Sequence, residues 1–358
     1  MTSKERLLAA LDRKIPDRLP ATTHHIQPYF LKKYMKDCRN NLDFFRQMGL
    51  DPIHWVNAYQ YSEEEMNNWR EEVEEVENHQ YRTWHTHYHT PKKTLTVTRQ
   101  ASEYTAWTVG RLIKEKKDIE ILAEYKPAPK AGKDIVEQAV KEYPDCLIRS
   151  GDYGCWAELC VLYGTQELIM ETYDDPLWVK EALGILQKKK LDYAESLAGC
   201  PLDLIETGGG DGSTTVISPA IFDEFVAPFD EPVIRAMKAK GQRVVYHTCG
   251  GMMPLLERLA DMGPDALETF TPVAMGGDVD LAEAKKRIGD RVCMIGGFDQ
   301  YNYFTGCTPE ETRKYVRRCF EEAGEGGGFI LSPSDHFFDA DPKLIRAFAE
   351  EAAECKYD

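Results

Sequence analysis

Short apolar runs recur along the chain, each ending in glycine, polar or ionisable residues and each followed by a stretch with apolar residues three and four apart. Eight such runs stand out: RLPATTHH (18–25), DPIHWVNAY (51–59), CLIRSGDYG (146–154), LDLIETGGGDG (202–212), RVVYHTCGG (243–251), DALETFTP (265–272), RVCMIGGFD (291–299) and GFILSPSDH (328–336). Between them, PLWVKEALGILQKKKLDYAESLAG, SPAIFDEFVAPFDEPVIRAMKAKG, MPLLERLADMG, DLAEAKKRIG and TPEETRKYVRRCFEEAG carry helical periodicity. Several of these begin with Ser, Thr or Asp and end with Gly, as helix caps do. Strands alternating with helices predict a parallel sheet with right-handed crossovers, and eight units predict an α/β fold closed into a (β/α)8 TIM barrel.

The pattern breaks between residues 60 and 130. SEEEMNNWREEVEEVEN reads as an acidic helix with a solvated face. YRTWHTHYHTPKKTLTVTRQASEYTAWTVGRLI alternates as strands do, with TPKK as the turn. The expectation is one barrel domain over residues 1–358, with an α+β, hairpin-bearing insertion at 60–130 that follows the second strand and covers the barrel mouth. His85, His87 and His89 share one face of the predicted hairpin, where a solvated strand face outweighs a metal site.

A chain of 358 residues that is 42% hydrophobic is long enough to bury a core of this size. Its net charge of -16, with a pI of about 5.1 and no basic stripe, argues against nucleic acid as a partner. No apolar window approaches the roughly 20 residues of a membrane span, and MTSKERLLAALDRK reads as an amphipathic helix rather than a signal segment. The ten cysteines lack the spacing of a disulfide framework, which favours a reducing, cytoplasmic setting.

In a barrel the strand ends converge on one face, and here they carry His24, His25, Asn57, Asp152, Glu206, Asp211, His247, Cys249, Glu268, Asp299, Asp335 and His336. That set is rich in metal ligands and carboxylates. Zinc takes imidazole, thiolate and carboxylate, and alternate residues of an extended strand share a face, so His247-x-Cys249 suits a metal. A strand-end histidine bonded to a backbone carbonyl beside a buried thiol explains the same pair without one. Glu206, Asp211 and Asp152 are the expected catalytic carboxylates, and one of His24 and His25, with Asn57 and Asp299, the expected substrate contacts. Asp335 and His336 also fit a helix cap in SPSDHFFDADPKLIRAF. The GGGDG run lacks both the P-loop lysine and the dinucleotide-fold spacing, so it carries little weight for a nucleotide.

Taken together, KERLLAALDRKIPDRLP, LYGTQELIMETYDDPLWV, VISPAIFDEFVAPF, HTCGGMMPLLERLADMGPDALETFTP and GDRVCMIGGFDQ resemble the uroporphyrinogen decarboxylase superfamily over nearly the whole chain. The resemblance implies a TIM barrel and one of two activities. One branch decarboxylates porphyrinogen acetates without metal or cofactor, using an arginine-rich segment after the first strand. This chain has ATTHHIQPYFLKKY there and no arginine between Arg18 and Arg39. The other branch holds zinc-dependent methyltransferases that move methyl groups between a substrate, a corrinoid and a thiol, with a His-x-Cys pair and a distal cysteine as ligands.

The second branch is matched at His247 and Cys249, while the distal cysteine position falls in SPSDH at Asp335, beside His336. Glu268 falls where the distantly similar cobalamin-independent methionine synthase places a glutamate ligand. The implied metal set is therefore His247, Cys249 and Asp335 or His336, with Glu268 as a fourth ligand. A small-molecule substrate, a corrinoid on a partner protein and a homodimer follow from the same resemblance. The alternatives are a metal-free decarboxylase acting on a carboxylated substrate and a non-catalytic ligand-binding barrel.

Overall fold

In the computed structural model, which describes residues 1–77 and 80–357, the apolar runs become short strands and their polar tails become loops. In chain order the strands are β1 (Ile53–Trp55), β2 (Tyr59–Gln60), β3 (Arg70–Val76), β4 (Arg82–His89), β5 (Thr94–Ala101), β6 (Ala106–Gly110) and β7 (Lys130–Ala131). They continue with β8 (Leu147–Gly151), β9 (Leu204–Gly208), β10 (Val244–His247), β11 (Ala266–Thr269), β12 (Cys293–Phe298) and β13 (Phe329–Pro333). β1, β8, β9, β10, β11, β12 and β13 pair in that order, all in parallel, into one curled sheet. Every residue of β11, β12 and β13 is buried, as befits strands enclosed between a barrel interior and a helical shell.

The expected first strand, 18–25, shrinks to a few residues. Leu331 N donates to Pro20 O (2.9 Å), Thr22 N to Leu331 O (3.0 Å) and Asp51 N to Ala21 O (2.8 Å), so this segment bridges β13 to the start of the β1 segment and closes the barrel. Pro20 has no amide to donate, which limits how far the ladder extends. Buried Asp51 pins the segment from the other side: its carboxylate accepts Ala21 N at 3.1 Å and pairs with Arg6 and Arg18. His24 and His25 follow directly and so enter the mouth.

The acidic stretch departs from expectation. Ser62 and Glu65 form a capping box on a helix that spans only Glu63–Asn68, and the glutamates after it form strand β3, which pairs antiparallel with β4. Asn78, the last residue of the predicted helix, lies outside the described residues. The register explains the change, since Glu72 faces His87 and Glu74 faces His85 across the pair. Charged side chains on an edge strand also keep it from pairing further. β3 to β6 form their own four-stranded sheet between β1 and β8, and Tyr104, just before β6, packs on Tyr29 (4.5 Å) and Phe338 (5.7 Å).

The helix Pro176–Ser196, capped by Asp175, lies where periodicity places it. SPAIFDEFVAPFDEPVIRAMKAKG is continuous but widens into a π turn over Phe222–Val226, next to Pro228 and Pro232, each of which removes an amide donor. Among the described residues no helix is long and apolar enough to cross a membrane.

Candidate active site

Strand register sets which residues meet at the mouth. His247 on β10 pairs with Gly208 of β9 on one side and with Glu268 of β11 on the other, and Glu206 stands one layer deeper, level with Val245. Gly208 adopts φ +104°, and a Cβ there would meet His247 O at 2.5 Å, so only glycine lets the two strand ends approach this closely. Arg149 comes from the middle of β8, beside Trp55 of β1.

These elements bring His24, Glu206, His247 and Glu268 together, each offering one ligand atom within 4.8 Å of the others. His24 Nε2 lies 2.7 Å from Glu206 Oε2 and 3.4 Å from Glu268 Oε1. His247 Nδ1 lies 2.9 Å from Glu268 Oε1 and 3.8 Å from Glu206 Oε1. Arg149, only 1% exposed, donates from Nη2 to both carboxylates, and its guanidinium lies 4.5 Å over the Trp55 ring. Trp55 in turn donates to His24 O (2.9 Å) and stacks on His25 (4.4 Å, 26°).

The charges follow from this geometry. Burial opposes ionisation of both carboxylates. His24 and Arg149 nevertheless hold the Glu206 carboxyl below its ordinary range, and Arg149 and His24 hold Glu268 well below it. Burial likewise opposes protonation of His24, but Glu206 and Glu268 outweigh it and raise its pKa. His247 is raised well above its usual value because Glu206, and hydrogen bonding with Cys249 and Glu268, overcome its burial. Burial and the neighbouring His24 push His25 down to about 3 and lower His336 as well.

Beside the cluster lies a cavity of about 570 Å³, walled by His25, Trp55, Tyr59, Asp152, Tyr153 and His336 in addition to His24, Glu206 and His247. Asp152 is paired with the buried Lys190 (2.7 Å). His24 Nδ1 and His336 Nδ1 are buried with no hydrogen-bond partner among the described residues.

The sequence-derived candidates divide. His24, Glu206, His247 and Glu268 converge, and His25, Asp152 and His336 line the cavity. Cys249 Sγ lies 2.9 Å from His247 Nε2, so it sits on the other ring nitrogen from Glu268 and outside the cluster. The expectation of Asp335 as a ligand is corrected: it is exposed, and it accepts from the amide of its neighbour His336 (2.6 Å). Asp211, expected to be catalytic, accepts from Thr165 Oγ1 (2.7 Å), and Asn57 is exposed; neither lines this cavity. Asp299 caps the short helix Gln300–Tyr303 and lines a different cavity. His85, His87 and His89 bond through Nδ1 to Thr98, Thr96 and Thr94 of β5.

Sequence reasoning missed Arg149, Trp55, Tyr59 and Tyr153. A signal for Arg149 was present: a lone cation in the apolar run CLIRSG has to find carboxylates when that strand is buried.

The donor set, two imidazole nitrogens and two carboxylates, suits zinc or a somewhat harder divalent cation. A cation would compete with protons here: His24 and His247 must be neutral to bind it, and Arg149 then balances only one of the two carboxylate charges. The orphaned nitrogens of His24 and His336 leave further polar capacity for a ligand at the same mouth. The residues present therefore fit a bound metal.

The family profile described as "Uroporphyrinogen decarboxylase (URO-D)" matches residues 108–355. Among curated proteins, the chain is 30% identical over 136 residues to a uroporphyrinogen decarboxylase of Neisseria meningitidis, covering 37% of this chain and 34% of that protein. It is 27% identical over 188 residues to the uroporphyrinogen decarboxylase of Thioalkalivibrio sulfidiphilus, covering 50% of this chain and 49% of that one. The matched segments thus span between about a third and a half of those relatives' length. Among solved structures, a methyltransferase from Methanosarcina mazei shares the fold, with a TM-score of 0.65, 18% identity and 99% of each chain covered.

Proposed function

The chain belongs to the uroporphyrinogen decarboxylase family, and from that premise we propose that it is a methyltransferase with a zinc site at the barrel mouth, held by His24, Glu206, His247 and Glu268. The observation that carries the proposal is the convergence of four donor atoms within 4.8 Å, from β9, β10, β11 and the segment just after the Ala21 bridge to β13. When bound, zinc supplies Lewis acidity, either lowering the pKa of a thiol or polarising a methylated oxygen or nitrogen.

The chain's own residues do the positioning. Arg149 fixes Glu206 and Glu268 side by side, and the Trp55 indole holds the Arg149 guanidinium from one face. Cys249 holds His247 Nε2, which leaves Nδ1 turned toward the carboxylates. In this reading Cys249 orients a ligand instead of serving as one. Tyr59, Tyr153 and Trp55 line the cavity with aromatic surface, and Asp152 adds a carboxylate. A corrinoid partner protein or a free thiol is the proposed second participant in the transfer.

Among the described residues, the wall of this cavity carries no arginine or lysine. A substrate with several carboxylates calls for bidentate guanidinium partners, so the wall favours methyl transfer over decarboxylation of a polycarboxylate. Metal analysis of protein purified without chelators tests the reading. We expect about one equivalent of zinc in wild type and little in Glu268→Gln; metal-free wild type that also binds no added zinc contradicts it.

A further inference from the structure

A second chamber, about 290 Å³, lies against the insertion and shares Tyr59 and Asp152 with the cavity at the mouth. Its size is at the lower end of small-molecule pockets, which run from roughly 300 Å³ upward. The walls are aromatic. Trp69 and Tyr88 stack on one another (4.9 Å, 25°), and Tyr59 packs on Tyr193 (5.1 Å), with Tyr61 also on the wall.

The charges lining it are unevenly paired. Lys190 pairs with Asp152 and Glu158 at 2.7 Å each, and Lys126 also pairs with Glu158. Lys189 Nζ donates to the carbonyl of Lys126 (2.6 Å) and makes no direct ion pair among the described residues, while Glu65, Glu158 and Asp192 act on it from further away. Glu71 is the remaining charge of the wall, and it is exposed and solvated. Tyr193 is fully buried, and its hydroxyl has no hydrogen-bond partner among the described residues. An ammonium with no direct ion pair and aromatic rings on the same wall together describe a site for a flat ring bearing one negative charge.

We propose that this chamber binds an aromatic carboxylate, its ring against Trp69 and Tyr88 and its carboxylate on Lys189. That group is the anchoring end of the substrate, whose reacting end reaches the mouth past Tyr59 and Asp152; the anchoring role rests on reading the mouth as the reaction site. A remote anchor of this kind contributes binding energy that fixes the reacting end in place.

Calorimetric titration of the full chain with benzoate, benzamide and benzylamine tests the chamber, in wild type and in His247→Ala. We expect benzoate to bind both proteins, and benzamide and benzylamine to bind at least about tenfold more weakly. Lys189→Gln is expected to weaken benzoate about tenfold or more at an unchanged Tm, and Trp69→Leu to weaken benzoate and benzamide alike. No benzoate binding up to its solubility limit, equal binding of benzamide, or an unaltered affinity in Lys189→Gln would each overturn the proposal. The titration needs neither metal nor turnover, so a null result rejects the chamber and leaves the methyl-transfer reading standing. Lack of zinc rejects that reading and leaves the chamber.

Discussion

Nδ1 of His247 lies 2.9 Å from Oε1 of Glu268, so two residues paired in register on β10 and β11 share one corner of the mouth. The other nitrogen of the same ring faces Cys249. This relationship assigns different tasks to three residues that the sequence placed in one ligand set.

The first prediction concerns zinc affinity. Removing a ligand costs more than removing a group that orients one, and outer groups are worth about 10–100-fold in affinity. Glu268→Gln is expected to lose more than about 100-fold and Cys249→Ser no more than about 10–100-fold. Competition against a chromophoric chelator measures both, and a larger loss in Cys249→Ser would reverse the assignment.

Arg149 is fully buried and donates to both Glu206 and Glu268. Breaking a buried ion pair from one side costs about 3–5 kcal/mol, so Arg149→Met is expected to lower unfolding stability by about that much. In a Glu206→Gln/Glu268→Gln background the same change should cost much less. Urea unfolding of the four proteins gives the coupling directly; additive effects would show that Arg149 stabilises by packing alone.

A third prediction concerns acid. Burial opposes ionisation of Glu158, but Lys190 and Lys126 dominate and hold its carboxyl down at about 2 against an ordinary 4.5. A depressed pKa means that the unfolded state binds the proton more readily. The stabilisation is therefore complete above about 4.5 and is lost as pH falls toward about 2. Glu158→Gln should be less stable than wild type at neutral pH, with the gap closing across that window. Urea midpoints measured from neutral pH downward follow it, and a gap that stays constant would rule out the linkage.

Metal removal should be visible in stability as well. A cation bound only by the folded chain stabilises it by about 4 kcal/mol when present at roughly a thousand times its Kd. Added zinc is expected to raise the Tm of metal-free wild type and leave His247→Ala nearly unmoved; equal shifts in both would place the metal elsewhere.

Much of the barrel was legible in the chain, since strands buried on both faces read as unbroken apolar runs and the shell helices keep their 3.6-residue period. Where the reading failed, a local feature or a long-range partner decided the outcome. Pro20 curtails the segment that bridges to β13, and the histidines of β4 draw EEVEEV into a strand against helix propensity. His247 and Glu268 were recognisable because one ends its strand and the other stands one residue before the end of its own.

The His-x-Cys reading assumed an extended chain through residue 249, but β10 ends at His247, and the alternate-face rule ends with it. Glu206 was legible as a strand-end carboxylate; its place beside His24 depends on barrel register and closure, which no local pattern encodes. Asp335 took its expected role from alignment with a distal cysteine, while its side chain turns to the amide of His336.

X-ray absorption at the zinc edge on the loaded wild-type protein reads the ligand set itself. A first shell of nitrogen and oxygen alone, at about 2.0–2.2 Å, with imidazole scattering beyond it, is expected. A sulfur shell at about 2.3 Å would place Cys249 on the metal and contradict the ligand set His24, Glu206, His247 and Glu268.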